Sequence, residues 1–98
     1  MIEIIDRPDA SELVFELEGH KAHIEYRIHN GKLIIVHTEV PEALGGRGLA
    51  GALVGAALDK AEAEGLTIWP WCPYARSWLQ KHPEEAGRVA IDWAQPPE

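Results

Sequence analysis

The sequence predicts an α/β (α+β) domain, an antiparallel meander followed by a single β-α-β unit, and three observations carry that prediction. Residues 12 to 40 alternate apolar and polar with a period of two. Residues 49 to 61 repeat their apolar positions at helical spacing behind a cluster of glycines. A short apolar run, Leu66 to Trp71, follows that helix directly.

The first strand is read from Leu13, Phe15 and Leu17 on one face, with Glu12, Glu16 and Glu18 mostly solvated. In the second, Ala22, Ile24, Tyr26 and Ile28 alternate with His23, Glu25, Arg27 and His29, and the run stops at Asn30-Gly31, a strong type I′ hairpin signal. The return strand is Lys32 to Val40. Strict alternation puts Leu33, Ile35, His37 and Glu39 on one face and Ile34, Val36, Thr38 and Val40 on the other. Pro41 removes a ladder donor and ends it. Leu49, Leu53, Val54, Ala57, Leu58 and Ala61 then form the buried stripe of a helix closed by Gly65, and Leu66 to Trp71 returns parallel to Lys32–Val40. After Pro73 an amphipathic helix is expected over Tyr74 to Lys81, exposing Arg76, Gln80 and Lys81 and burying Trp78 and Leu79. His82-Pro83 closes it, and Glu84 to Glu98, with a short apolar piece at Val89, Ile91 and Trp93, is expected to pack as a tail or fray. With 98 residues, 46% hydrophobic, and neither repeat nor linker, the chain reads as one domain, residues 1–98.

Composition narrows the function. Sixteen acidic against nine basic residues leave a net charge of −7, a field that disfavours nucleic acid. One cysteine, Cys72, allows no internal disulfide and suits a reducing cytosol, so a cytoplasmic location is expected. The N-terminus, with acidic residues and no basic n-region, is not read as a signal peptide, and no apolar run is long enough for a membrane span. His20, His23, His29 and His82 form no metal-binding set, so no metal is expected.

The glycine cluster carries the chemistry. Gly46-Arg47-Gly48-Leu49-Ala50-Gly51 matches G-x-G-x-x-G. A dinucleotide fold is nevertheless a poor fit, because the preceding strand belongs to an antiparallel hairpin and no acidic residue ends the next strand. A P-loop fails for want of Gly-Lys-Ser/Thr. What the pattern shares with both is physical: glycines let backbone approach a diphosphate, and free N–H groups at a helix start point at it. A plain glycine loop is the alternative.

The run His37 to Ala50, followed by Cys72-Pro73-Tyr74 and His82-Pro83, resembles the small single-domain GCN5-related (GNAT) N-acetyltransferase-like proteins that bind coenzyme A; the resemblance covers about Ala22 to Glu84. In that superfamily the loop reads Arg/Gln-x-x-Gly-x-Gly/Ala. Here the last two fixed positions fall on Gly48 and Ala50, and Gly45 stands where the Arg or Gln is usual, with Arg47 nearby as a substitute charge. The resemblance implies that coenzyme A, as acetyl-CoA, is held at Glu39, Val40, Gly45, Gly46, Arg47, Gly48, Leu49 and Ala50, with Val40 main chain pairing with a pantetheine between splayed parallel strands. It implies N-acyl transfer to a small amine or a protein amine. Cys72 is a candidate nucleophile with His37 as its base, Tyr74 a candidate acid for the departing thiolate, and Glu39 a conceivable base. Each has a plainer reading: Cys72 and Tyr74 as packing, His37 as a core histidine, Glu39 as a solvated carboxylate. The tryptophans are read as core and channel wall, with Trp71 beside the acyl group. The acidic surface suggests a basic acceptor. A coenzyme A-binding module without efficient catalysis and a protein-interaction domain are the rival functions, and oligomeric state cannot be read.

Overall fold

The computed structural model describes residues 2–97; Met1 and Glu98, the ends of the predicted domain and tail, lie outside the described residues. The elements are β1 (Ile5–Arg7), β2 (Glu12–Leu17), β3 (His20–His29), β4 (Lys32–Glu39), a 3-10 turn (Glu42–Leu44), α1 (Leu49–Glu64), β5 (Thr67–Pro70), α2 (Pro73–Lys81) and α3 (Pro83–Ala86). They form a five-stranded sheet in the order β1-β2-β3-β4-β5, antiparallel as far as β4 and parallel between β4 and β5. The architecture is α+β.

Local chemistry explains most of this. Asn30 and Gly31 both take positive φ (51° and 74°), as a type I′ turn demands, and Glu18-Gly19 repeats the device at 51° and 81° between β2 and β3. α1 ends on left-handed Gly65, whose N–H and that of Leu66 both return to the Ala61 carbonyl. Its inner stripe, Leu49, Leu53, Val54, Ala57, Leu58 and Ala61, is the predicted one and is at most 2% exposed. It packs on Ala22, Ile24, Leu33, Ile35 and Ile68, all 0% exposed, and each large aliphatic side chain so buried contributes about 1.5–3 kcal/mol. Ala75 and Leu79 of α2 and Ala86 of α3 enter the same core, so the opposite face of the sheet carries no helix.

Three expectations change, and one that was left open, whether the tail packs or frays, is settled. β1, absent from the sequence reading, pairs Ile5 with Val14 at the sheet edge. α2 begins at Pro73, the favoured first helical position for proline. Arg76 is not simply exposed, because it donates to the carbonyls of Pro70 (3.3 Å), Trp93 and Ala94 (both 2.8 Å). The tail packs: Ile91 bridges Ile68 in parallel, Asp92 holds Lys32 at 2.6 Å, and Ala94 accepts from Trp69 Nε1.

The correction that matters for function lies in β4. Tyr26 pairs with Ile35 but Glu25 pairs with His37, so Val36 is an extra residue, a β-bulge. An inserted residue breaks the two-residue alternation. Leu33 and Ile35 face the core opposite Ile28 and Tyr26, but beyond the bulge Thr38 is the residue that joins the core face, opposite Ile24. His37 and Glu39, expected beside Leu33 and Ile35, stand on the open face opposite Glu25 and His23.

Candidate active site

The parallel pair β4/β5 parts at the bulge. Its register runs from Lys32↔Thr67 to Ile35↔Pro70 and stops there, where the N–H groups of Trp71 and Cys72 both close on the Ile35 carbonyl at 3.0 Å. β4 continues to Glu39 along β3, whereas the chain after β5 turns away into α2 with Cys72 at the N-cap and Pro73 behind it. A wedge opens between the two.

On the helix side of the wedge stands Cys72, 5% exposed, with Sγ donating to Thr38 Oγ1 at 3.5 Å. Thr38 is a site residue that alternation assigned to the wrong face. Tyr74 is 43% exposed, and its hydroxyl is shifted above the ordinary phenol range, first by partial burial and then by the nearby Cys72. Trp71 stacks edge-on against Trp69 at 5.3 Å, and its Nε1 is buried with no acceptor among the described residues. On the open face His37 Nε2 lies 3.5 Å from Glu39 Oε1, and its ring is 6.2 Å from that of His23. The expected partnership of His37 with Cys72 is therefore not made: the bulge sends them to opposite faces of the sheet.

The loop after β4 leads into α1. Gly46 and Gly48 take positive φ (78° and 71°), and Gly48 is a left-handed N-cap without a side-chain cap or an acidic residue in the first turn. The N–H groups of Leu49, Ala50 and Gly51 thus start the helix with no side-chain acceptor; the first intrahelical bond runs from Ala52 N–H to the Gly48 carbonyl. Leu49 is 2% exposed, so its side chain anchors the helix and only its main chain faces the loop. Gly45 and Arg47 are exposed, Val40 is partly buried against the core, and Arg47 makes no ion pair among the described residues. Beside this turn lies Trp78, partly buried rather than in the core, with Nε1 only 2.8 Å from where a Cβ on Gly51 would stand. The spacing of Gly51 and Trp78 gave no signal of this contact, which depends on how α2 crosses α1.

A bulged strand that parts from its parallel neighbour beside an uncapped helix start is the architecture of an N-acetyltransferase-type α+β fold. Residues 12–88 match the family of GCN5-related N-acetyl-transferases, and the chain belongs to that family. The fold is similar to the NMR solution structure of a GCN5-like candidate N-acetyltransferase from Staphylococcus aureus, with 27% identity, a TM-score of 0.72, and 95% of this chain and 91% of that one covered. No helix among the described residues is long and apolar enough to cross a membrane.

Proposed function

We propose that the protein transfers an acetyl group from acetyl-CoA to an amine, with the coenzyme A diphosphate on the Gly45–Ala50 loop and the pantetheine in the β4/β5 wedge. The observation that carries this reading is the coincidence, at one end of β4, of unpaired strand and the free N–H groups of the α1 start. Trp71 Nε1 is a donor suited to a carbonyl of the pantetheine or acyl group.

Direct transfer is the better reading. The amine nitrogen attacks the thioester carbon, the C–S bond breaks, and an amide and the free thiol of coenzyme A result. His37, oriented by Glu39, takes the amine proton from the open face. Tyr74, held protonated by its environment, supplies a proton to the departing sulfur on the other side. A covalent route through Cys72 is the second reading, favoured by its position at the wedge mouth, and it needs a base other than His37.

Calorimetric titration with acetyl-CoA and coenzyme A, followed by intact mass, tests both. Wild type is expected to bind, and Gly48→Val to lose most affinity while keeping its circular dichroism. An added acetyl mass that disappears in Cys72→Ser would select the covalent route. No binding of either ligand at near-millimolar concentration would refute the assignment.

A further inference from the structure

The guanidinium of Arg76 is devoted to main chain. Nη1 donates to the Trp93 carbonyl, and Nη2 donates to the carbonyls of Pro70 and Ala94. The Arg76 N–H closes on the Cys72 carbonyl at 3.0 Å. Pro70 ends β5 and Cys72 caps α2, so this one residue fastens both sides of the corner from which the chain leaves the wedge.

Two of those three acceptors belong to the tail, and the tail is itself anchored. The Asp92 N–H donates to the Ile68 carbonyl at 2.8 Å, its Oδ2 takes Lys32 Nζ at 2.6 Å, and its Oδ1 takes the Ala94 N–H at 3.0 Å. The bond from Lys32, and after it the one from Ala94, holds the Asp92 carboxyl below the usual carboxylate range. The Ala94 carbonyl then accepts from Trp69 Nε1 of β5 as well as from Arg76 of α2. Residues 91–94 are thus a strap across β4, β5 and α2, the elements that bound the wedge.

The corner itself has little else to orient it. Cys72 Sγ makes one weak contact with Thr38 at 3.5 Å, and the Tyr74 hydroxyl has no hydrogen-bond partner among the described residues. Bonds from a guanidinium are roughly twice as strong as neutral ones, and its planar fork fixes direction as a lysine ammonium does not. We propose that Arg76 is a positioning residue for the transfer: clasped to the tail, it holds the corner that presents Cys72 and Tyr74 to the departing sulfur. The role depends on the wedge reading given above, and two of its readouts need no ligand.

Tyr26→Phe supplies the background, because it leaves Tyr74 as the single tyrosine and its own lost bond lies on β3. Modification of Cys72 by a thiol reagent should be about tenfold faster when Arg76→Gln is added, with Arg76→Lys in between. The Tyr74 absorbance midpoint, read over the pH range in which circular dichroism shows the fold intact, should fall toward the ordinary phenol range. Losing the positive charge alone would raise it. Asp92→Ala should reproduce both changes more weakly and add little to Arg76→Gln, since the two act through one strap. Calorimetric affinity for coenzyme A, set at the loop, should stay within about threefold throughout. Should Arg76→Gln not fold, Arg76→Lys and Asp92→Ala carry the same readouts. A thiol rate left unmoved, or a midpoint that stays or rises, would overturn the positioning role whether or not coenzyme A binds. Effects of Arg76→Gln and Asp92→Ala that simply add would separate Arg76 from the tail and overturn the strap. Both readouts moving as expected in a protein that binds no coenzyme A would refute the transferase reading, and a role in transfer with it.

Discussion

Gly51 and Gly55 occupy successive turns of α1 and differ in one respect that matters. A methyl group at Gly55 meets nothing within 4 Å, whereas at Gly51 it would lie 2.8 Å from Trp78 Nε1. Replacing a helical glycine by alanine ordinarily stabilises by about 1 kcal/mol. Gly55→Ala should realise that gain as a higher melting temperature. In Gly51→Ala the gain is offset by pushing aside an indole already stacked on His82, an overpacking cost of about 1–3 kcal/mol. That variant is therefore expected to melt below Gly55→Ala, to show altered tryptophan fluorescence, and to bind coenzyme A roughly tenfold more weakly if the indole is a wall of the cofactor site. Unchanged affinity in a variant with displaced fluorescence would remove Trp78 from that wall. Gly48 is a different case, since its space is open but its φ of 71° penalises any side chain by about 1–2 kcal/mol.

At the scale of the element, the bulge at Val36 decides which residues of β4 can act together. It sets Thr38 beside Cys72 and turns His37 toward Glu39 and His23. Thr38→Val, which removes the hydroxyl that Sγ contacts, is expected to change the rate at which a thiol reagent modifies Cys72 by about threefold or more, the equivalent of losing a weak hydrogen bond. His37→Gln should leave that rate as it was; a change as large as that of Thr38→Val would mean that His37 communicates with the thiol after all. The same bulge marks where sequence reading reached its limit. The hairpin at Asn30-Gly31, the α1 stripe and the parallel return of β5 were legible because each has a local signature in turn chemistry or periodicity. Ile34-Ile35-Val36 is apolar throughout, so either phase of alternation fits it and nothing marks the inserted residue. β1 escaped for a related reason: three exposed residues have too short a pattern to register, and their partner lies on a separate strand. The glycine loop was legible as a place, but the contact of Trp78 with Gly51 beside it arises from the crossing of two helices, which no local pattern encodes.

The whole molecule is tied across its sheet by one carboxylate on the first strand. Asp6 of β1 accepts from the Tyr26 hydroxyl of β3 and from Lys60 Nζ of α1, each at 2.7 Å, and Lys60 also donates to Glu64 at 2.8 Å. The edge strand, a central strand and the long helix thus share a single acceptor, with the Lys60 ammonium 5.5 Å above the Tyr26 ring. Burial, and after it the bond to Asp6, pushes the Tyr26 hydroxyl up from 10.0 to about 12. The bonds to Asp6 and then Glu64 raise Lys60 above the ordinary lysine range. Both groups hold their protons more firmly in the folded state than in the unfolded chain, so their contribution is complete below the unfolded values and is lost as pH climbs through the folded ones. Urea midpoints should therefore be flat up to about pH 10 and fall from there toward pH 12. Tyr26→Phe is expected to cost about 1 kcal/mol at neutral pH, where it removes one hydrogen bond to Asp6, and to shallow the alkaline fall because one of the two raised groups is gone. An alkaline limb as steep in Tyr26→Phe as in wild type would mean that Tyr26 does not titrate with unfolding, and that Lys60 alone couples β1 and α1 to the proton concentration.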